Sequence, residues 1–315
     1  MFFFGQQICA QKPIFQFWLE AHQNYVEAVH FLDEQTLLSL SAENNFKPDE
    51  LENKLIYWDL SAKKPRKQLS WGKKGEYIHH LSFSHDGRNF LVGSQRAYVY
   101  KIEDLSLVFE SPESEAIYLS LALSRDERWL ATANNMGLVE VWDLMKGDLK
   151  PQTVLQADCP VNSVAFSEDG QLLFCGLENG VFKFFEMNNL SEGGSFEEHE
   201  KDIFSISYSA SARRVVTAGW DSFIHFWDID REQLDYSIRG HEGYVEVLEF
   251  SPGGEWLASG GGDGTVRIWD AKEAELLGIG QKHNKAVLCL SFSPKGKYLA
   301  VGGADKKISI WSFKP

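Results

Sequence analysis

His241, Ser259 and Asp263 carry the side-chain types of a nucleophilic hydrolase: a hydroxyl to attack, an imidazole to take its proton, and a carboxylate to orient the ring. His199, Thr217 and Asp221 present the same set 42 residues earlier. Residue types alone do not make that chemistry. An acyl-transfer serine also needs an open pocket and preorganised oxyanion donors, and no G-x-S-x-G turn of the kind that presents such a serine occurs in the chain. What these residues do depends on the elements that hold them.

Other chemistries leave weaker traces. Gly260-Gly261-Gly262-Asp263-Gly264 is glycine-rich like a phosphate cradle, but it bridges two strand-like runs and opens no helix, which favours a tight hairpin. His79-His80 has no further ligands at matched spacing, and the four cysteines (Cys9, Cys159, Cys175, Cys289) form no C-x-x-C pair. Phosphate-loop, H-E-x-x-H and dinucleotide glycine patterns are absent. No catalytic residue, metal centre or cofactor is expected.

The positioning elements read as short strands. Val245–Phe250 alternates in strand fashion, Ser251-Pro252-Gly253-Gly254 turns the chain, and Trp256–Ser259 forms a second strand. Gly262-Asp263-Gly264 then turns into a third, Thr265–Asp270. The same grammar recurs at Ala165–Gly170 and Ser291–Gly296, and more loosely at Leu81–Gly87. Each unit closes on an aromatic: Trp58, Tyr100, Trp142, Phe185, Trp227, Trp269 and Trp311, at steps of 42, 42, 43, 42, 42 and 42 residues. Five of the seven are tryptophan, followed by Asp in four cases and by Ser312 in the last.

A repeat of this length and ending resembles the WD40 family over about residues 14–313. The resemblance implies an all-β fold: a seven-bladed WD40 β-propeller with four antiparallel strands per blade. In that family a blade's fourth strand comes from the start of the next repeat, and here only four residues follow Trp311. Residues 14–19 precede Ala21-His22 as the fourth-strand runs precede Gly240-His241, so they are expected to pair with the last strand and close the ring. One propeller domain over 1–315 is expected. An acidic insertion at about 42–53 lengthens the His-to-Trp spacing of blade one to 36 residues, against 28 in blades five to seven. That insertion is either a functional rim loop or a neutral one.

The resemblance also gives the triad-like residues another role. In WD40 blades the G-H histidine, a second-strand Ser or Thr, the turn Asp and the third-strand Trp form a buried hydrogen-bonded tetrad. The matching sets are His199, Thr217, Asp221, Trp227 and His241, Ser259, Asp263, Trp269. Such a network satisfies every buried polar group at once. Blade seven has His283, Asp305 and Trp311 but Val301 at the hydroxyl position, and blade three has Met136 where Asp would stand. Blades two and four close on Tyr100 and Phe185. Those four blades are expected to rely more on apolar packing.

Bulk properties narrow the partners. Lys and Arg number 31 against 45 Asp and Glu, a net charge of −14, which disfavours direct binding to nucleic acid or to anionic membranes. Lys63-Lys64-Pro65-Arg66-Lys67 reads as a solvated strand edge. No run approaches the ~18–20 apolar residues of a membrane helix, and four scattered cysteines suit buried thiols in a reducing compartment. The cytoplasm is expected, with the nucleus possible.

The family's common ligand surface is the rim built by the fourth-to-first and second-to-third strand loops. Aligning the repeats there brings Tyr25, Tyr77 and Tyr244 into register, with Glu27 and Glu246 two residues on and Trp220 before the turn of blade five. Tyr and Trp beside carboxylates suit a Lys or Arg flanked by apolar residues. The chain is therefore read as a non-catalytic interaction platform binding basic, apolar peptide segments, a monomer within a larger complex. Two alternatives stay open: a subunit resembling the Ski8-type propellers of RNA-decay and transcription complexes, and an enzyme using the central channel.

Overall fold

The computed structural model describes residues 13–42, 53–72, 77–146, 150–280 and 283–313. Among them are 28 strands in seven antiparallel sheets of four, and no helix. Six sheets run in chain order, as blade five does: Ile203–Ser209 innermost, then Arg214–Gly219, Phe223–Asp228 and Gln233–Arg239 (strands a to d). Blade six follows with Val245–Phe250, Trp256–Gly261, Val266–Asp270 and Leu276–Ile279. Each innermost strand packs on that of the next blade, and Val287–Phe292 of blade seven packs on Ala28–Phe31 of blade one. The ring is closed.

Closure is made by the N-terminal strand. Ile14–Glu20 lies antiparallel on Lys307–Ser312 as the outer strand of blade seven, from Ile14 opposite Ser312 to Glu20 opposite Lys307. A bulge between Phe15 and Phe17 lets the strand bend, and Gln16 donates to Ser312 Oγ at 2.8 Å. Leu19 is buried with Ile308, Ile310, Val26 and Trp58, so apolar burial and ladder hydrogen bonds hold the closure together.

Local chemistry sets the hairpins. Between strands a and b a serine accepts the backbone N–H five residues on, as in Trp256 N–H to Ser251 Oγ (3.0 Å) and Leu172 N–H to Ser167 Oγ (2.9 Å). The following glycine takes a left-handed backbone, φ 75° at Gly254 and 69° at Gly170, which a side chain would oppose. All five closing tryptophans are buried between blades. In blade two the half-buried Tyr100 stacks on Phe90 at 5.2 Å, and in blade four Phe185 is buried among aliphatic residues, so apolar packing replaces the indole there. Cys175 and Cys289 are buried free thiols, whereas Cys159 is only half-buried, contrary to the expectation for all four. Cys9 and most of the acidic insertion (43–52) lie outside the described residues.

Candidate functional site

The triad-like residues meet in space. His241 Nε2 lies 2.8 Å from Ser259 Oγ, and His241 Nδ1 lies 3.0 Å from Asp263. Trp269 Nε1–H donates to the same Ser259 oxygen at 2.8 Å. The directions of donation are fixed by the ends: indole N–H to serine, serine O–H to Nε2, Nδ1–H to the carboxylate. Blade five repeats this, with His199 bonded to Thr217 (2.8 Å) and Asp221 (2.7 Å), and Trp227 donating to Thr217 at 2.8 Å. Burial would raise the Asp263 pKa, but hydrogen bonds from His241 and from the backbone and hydroxyl of Thr265 outweigh it and hold the carboxyl well below the usual range.

These distances would serve a hydrolase, but the accessibility would not. Ser259 is 0% exposed, and its oxygen already accepts an indole N–H, so no substrate carbonyl can approach it. The arrangement can hold a blade together; it cannot turn over a substrate at that serine.

Two more networks appear where the sequence suggested none or an incomplete one. In blade one His22 bonds Ser39 (2.6 Å) and Ser41 (2.8 Å), and Trp58 donates to Ser39. Blade seven corrects an expectation. Val301 supplies no hydroxyl, but Ser309, directly opposite it on the neighbouring strand, lies 2.8 Å from His283 Nε2 and accepts from Trp311 at 2.9 Å. His283 Nδ1 bonds Asp305 at 3.0 Å, so the blade has a full network. Opposed residues of an antiparallel pair share a face, so the hydroxyl can come from either strand. In blade three Trp142 donates to Thr132 at 3.2 Å, while Asn134 binds the turn N–H groups of Met136 and Leu138.

The rim residues separate into groups. Trp220, 52% exposed, lies 6.0 Å from the Tyr244 ring, and Phe204 touches both at 5.7 and 6.3 Å, joining blades five and six in one aromatic patch. Phe204 lies outside the rim group expected from the sequence. Local backbone explains the patch: Gly262 has no side chain, and a Cβ there would fall 2.4 Å from Tyr244 Cε1. Burial, and after it the charge of Glu246 nearby, raises the Tyr244 pKa.

Tyr25 belongs elsewhere. Lys285 of blade seven sits over its ring at 5.6 Å, so the chain's own cation covers the face expected to take a partner's. Tyr77 is well exposed on blade two. The two carboxyls are altered by enclosure at the inner wall: burial pushes Glu246 up to about 7 and Glu27 up to about 8. At neutral pH Glu246 is therefore only partly ionised.

Known proteins resemble parts of this chain in sequence. The family model described as WD domain, G-beta repeat matches residues 149–186, 191–228, 232–270 and 275–312. Each match starts at or shortly before the outer strand of one blade and ends on the third strand of the next, the same stagger by which blade seven is completed from the N-terminal strand. WD repeat-containing protein 91 of Danio rerio is 26% identical over 32% of this chain and 15% of its own length. Pre-mRNA-processing factor 19 of Schizosaccharomyces pombe is 33% identical over 24% of this chain and 15% of its own. Protein transport protein SEC31 of Kluyveromyces lactis is 28% identical over 34% of this chain and 9% of its own. The chain thus spans less than a fifth of the length of these curated relatives.

Proposed function

This chain belongs to the WD40-repeat family of seven-bladed β-propellers, and from that premise we propose that it is a non-catalytic docking platform for peptide segments of other proteins. The observation that carries the reading is the Phe204–Trp220–Tyr244 patch, a continuous aromatic surface at the rim with Glu246 beside it. Indole and phenol rings give large contact area at low entropic cost and dominate interface energetics. The preferred segment carries a Lys or Arg flanked by apolar residues, its cation placed over an aromatic face or against Glu246. Tyr25, already paired with Lys285, contributes less. The buried hydroxyls of the tetrads support a structural role over an enzymatic one.

Residence in the cytoplasm or nucleus, as a monomer within a larger complex, goes with this reading. It is supported by the acidic balance and by the free thiols. The matched relatives are named for transport and pre-mRNA processing alike, so their names do not select a pathway.

The test compares proteins retained by the tagged chain with those retained by Trp220→Ala/Tyr244→Ala, followed by affinity measurement on the purified partner. Loss of ~2 kcal/mol or more of binding, with melting unchanged, is expected. A partner that binds both forms equally would move the interface to another face.

A further inference from the structure

Position by position, blades five, six and seven build their networks alike except at one place. The residue two before the closing tryptophan lies directly opposite the hydroxyl position: His225 opposite Thr217, Arg267 opposite Ser259, Ser309 opposite Val301. Ser309 is spent on His283. Arg267 places its guanidinium 3.5 Å from the Asp263 carboxylate and so balances its charge. His225 does neither. It is 4% exposed, and neither ring nitrogen has a hydrogen-bond partner among the described residues.

The surroundings of His225 hold two further donors. Its ring centroid is 4.0 Å from that of His199, edge to face, and the Asp221 carboxylate lies beside both. One ligand atom from each of His199, Asp221 and His225 falls within 4.8 Å of the others. Among the described residues no Lys or Arg forms an ion pair with Asp221, whose side chain is almost wholly buried. Blade five thus has a buried carboxylate with the place of the blade-six guanidinium taken by a second imidazole.

We propose that His199, Asp221 and His225 form a binding site for a divalent transition-metal ion of the zinc class, with a fourth position open to water. Two imidazoles and a carboxylate are a donor set that zinc favours. The ion supplies the positive charge that Arg267 supplies in blade six, and it takes up a His225 nitrogen otherwise left buried without a partner, a costly state. Tetrahedral donors on an ion at ~2.1 Å sit about 3.4 Å apart, so the longest separation, within 4.8 Å here, tightens by up to about 1.4 Å. His199 binds through Nδ1, and its proton moves to Nε2, which donates to Thr217, so no proton is lost. Thr217 then accepts from both His199 and Trp227 and gives up the O–H donation it makes to Nε2 without the ion. Asp221 keeps the backbone N–H groups of Glu200 and Phe223 at 3.1 and 3.0 Å, which hold it in place. The half-exposed Phe223 ring, parallel to His225 at 6.1 Å, forms the outer wall.

The full chain, stripped with a chelator, is titrated with Zn2+ and with Co2+ as a spectroscopic probe. One equivalent at micromolar concentration is expected, with visible d–d bands of four-coordinate cobalt and no thiolate charge-transfer band. His225→Gln and His225→Phe should each weaken binding at least tenfold, and Cys159→Ser should not. Failure of the folded wild type to bind Zn2+ at these concentrations would overturn the site, as would undiminished binding by either folded His225 variant. A thiolate band in the wild type, which needs no variant to interpret, would place the ion at a cysteine and overturn it as well.

Discussion

Ser259→Ala removes one oxygen at a fully buried position and leaves two groups without partners. Trp269 Nε1–H loses its acceptor at 2.8 Å, and His241 Nε2 loses its donor at 2.8 Å. The histidine cannot compensate by turning, because Nδ1–H is held by Asp263 at 3.0 Å. At ~1–3 kcal/mol for each stranded group the loss is about 2–6 kcal/mol, a fall in Tm of roughly 3–9 °C for a chain of this length. The assay is urea unfolding followed by circular dichroism, with Ser309→Ala and Val301→Thr in parallel. Ser309→Ala should cost about as much as Ser259→Ala, because it breaks the equivalent bonds in blade seven. Val301→Thr should give no gain, since Ser309 already serves His283, and the buried extra hydroxyl should cost ~1–3 kcal/mol. A Ser259→Ala protein within about 0.5 kcal/mol of wild type would refute the reasoning, as would a stabilised Val301→Thr.

Three more outcomes follow from the same structure. Deleting residues 1–19 removes the outer strand of blade seven and bares Ile308 and Ile310, so the product should aggregate or melt far earlier, read by light scattering and calorimetry. Burial raises Glu249 to about 8, so its contribution to stability is full below the ordinary pKa near 4.5 and is lost as pH rises through about 8. Glu249→Gln should therefore be near neutral at pH 5 and stabilising at pH 9 in denaturant titrations, and an unchanged slope of stability against pH would count against it. Gly262→Ala should displace the Tyr244 ring and weaken partner binding in calorimetry while leaving Tyr25→Ala, the parallel control, near wild type.

Much of the molecule is determined by short-range pattern and is therefore written in the chain. The aromatic at every 42nd or 43rd residue, the Asp-Gly turns and the alternating runs fix the blades, because strand period and turn conformation are local properties. Closure by residues 14–20 is foreshadowed because a last repeat without an outer strand leaves an edge that must be filled. His199, Thr217, Asp221 and Trp227 are legible for the same reason: each recurs at a fixed offset within its repeat. What cannot be read this way depends on which side chains face one another across strands. Ser309 replaces the missing Val301 hydroxyl because an antiparallel ladder sets the two opposite each other, eight residues apart. His225 comes to lie against His199 and Asp221 by the same register. The rim was divided by packing between blades, which joined Phe204, Trp220 and Tyr244 and gave Tyr25 to Lys285. Only the folded ring encloses Glu246 and Glu249, so only tertiary structure decides their ionisation: desolvation depends on the atoms around a group, wherever in the chain they come from.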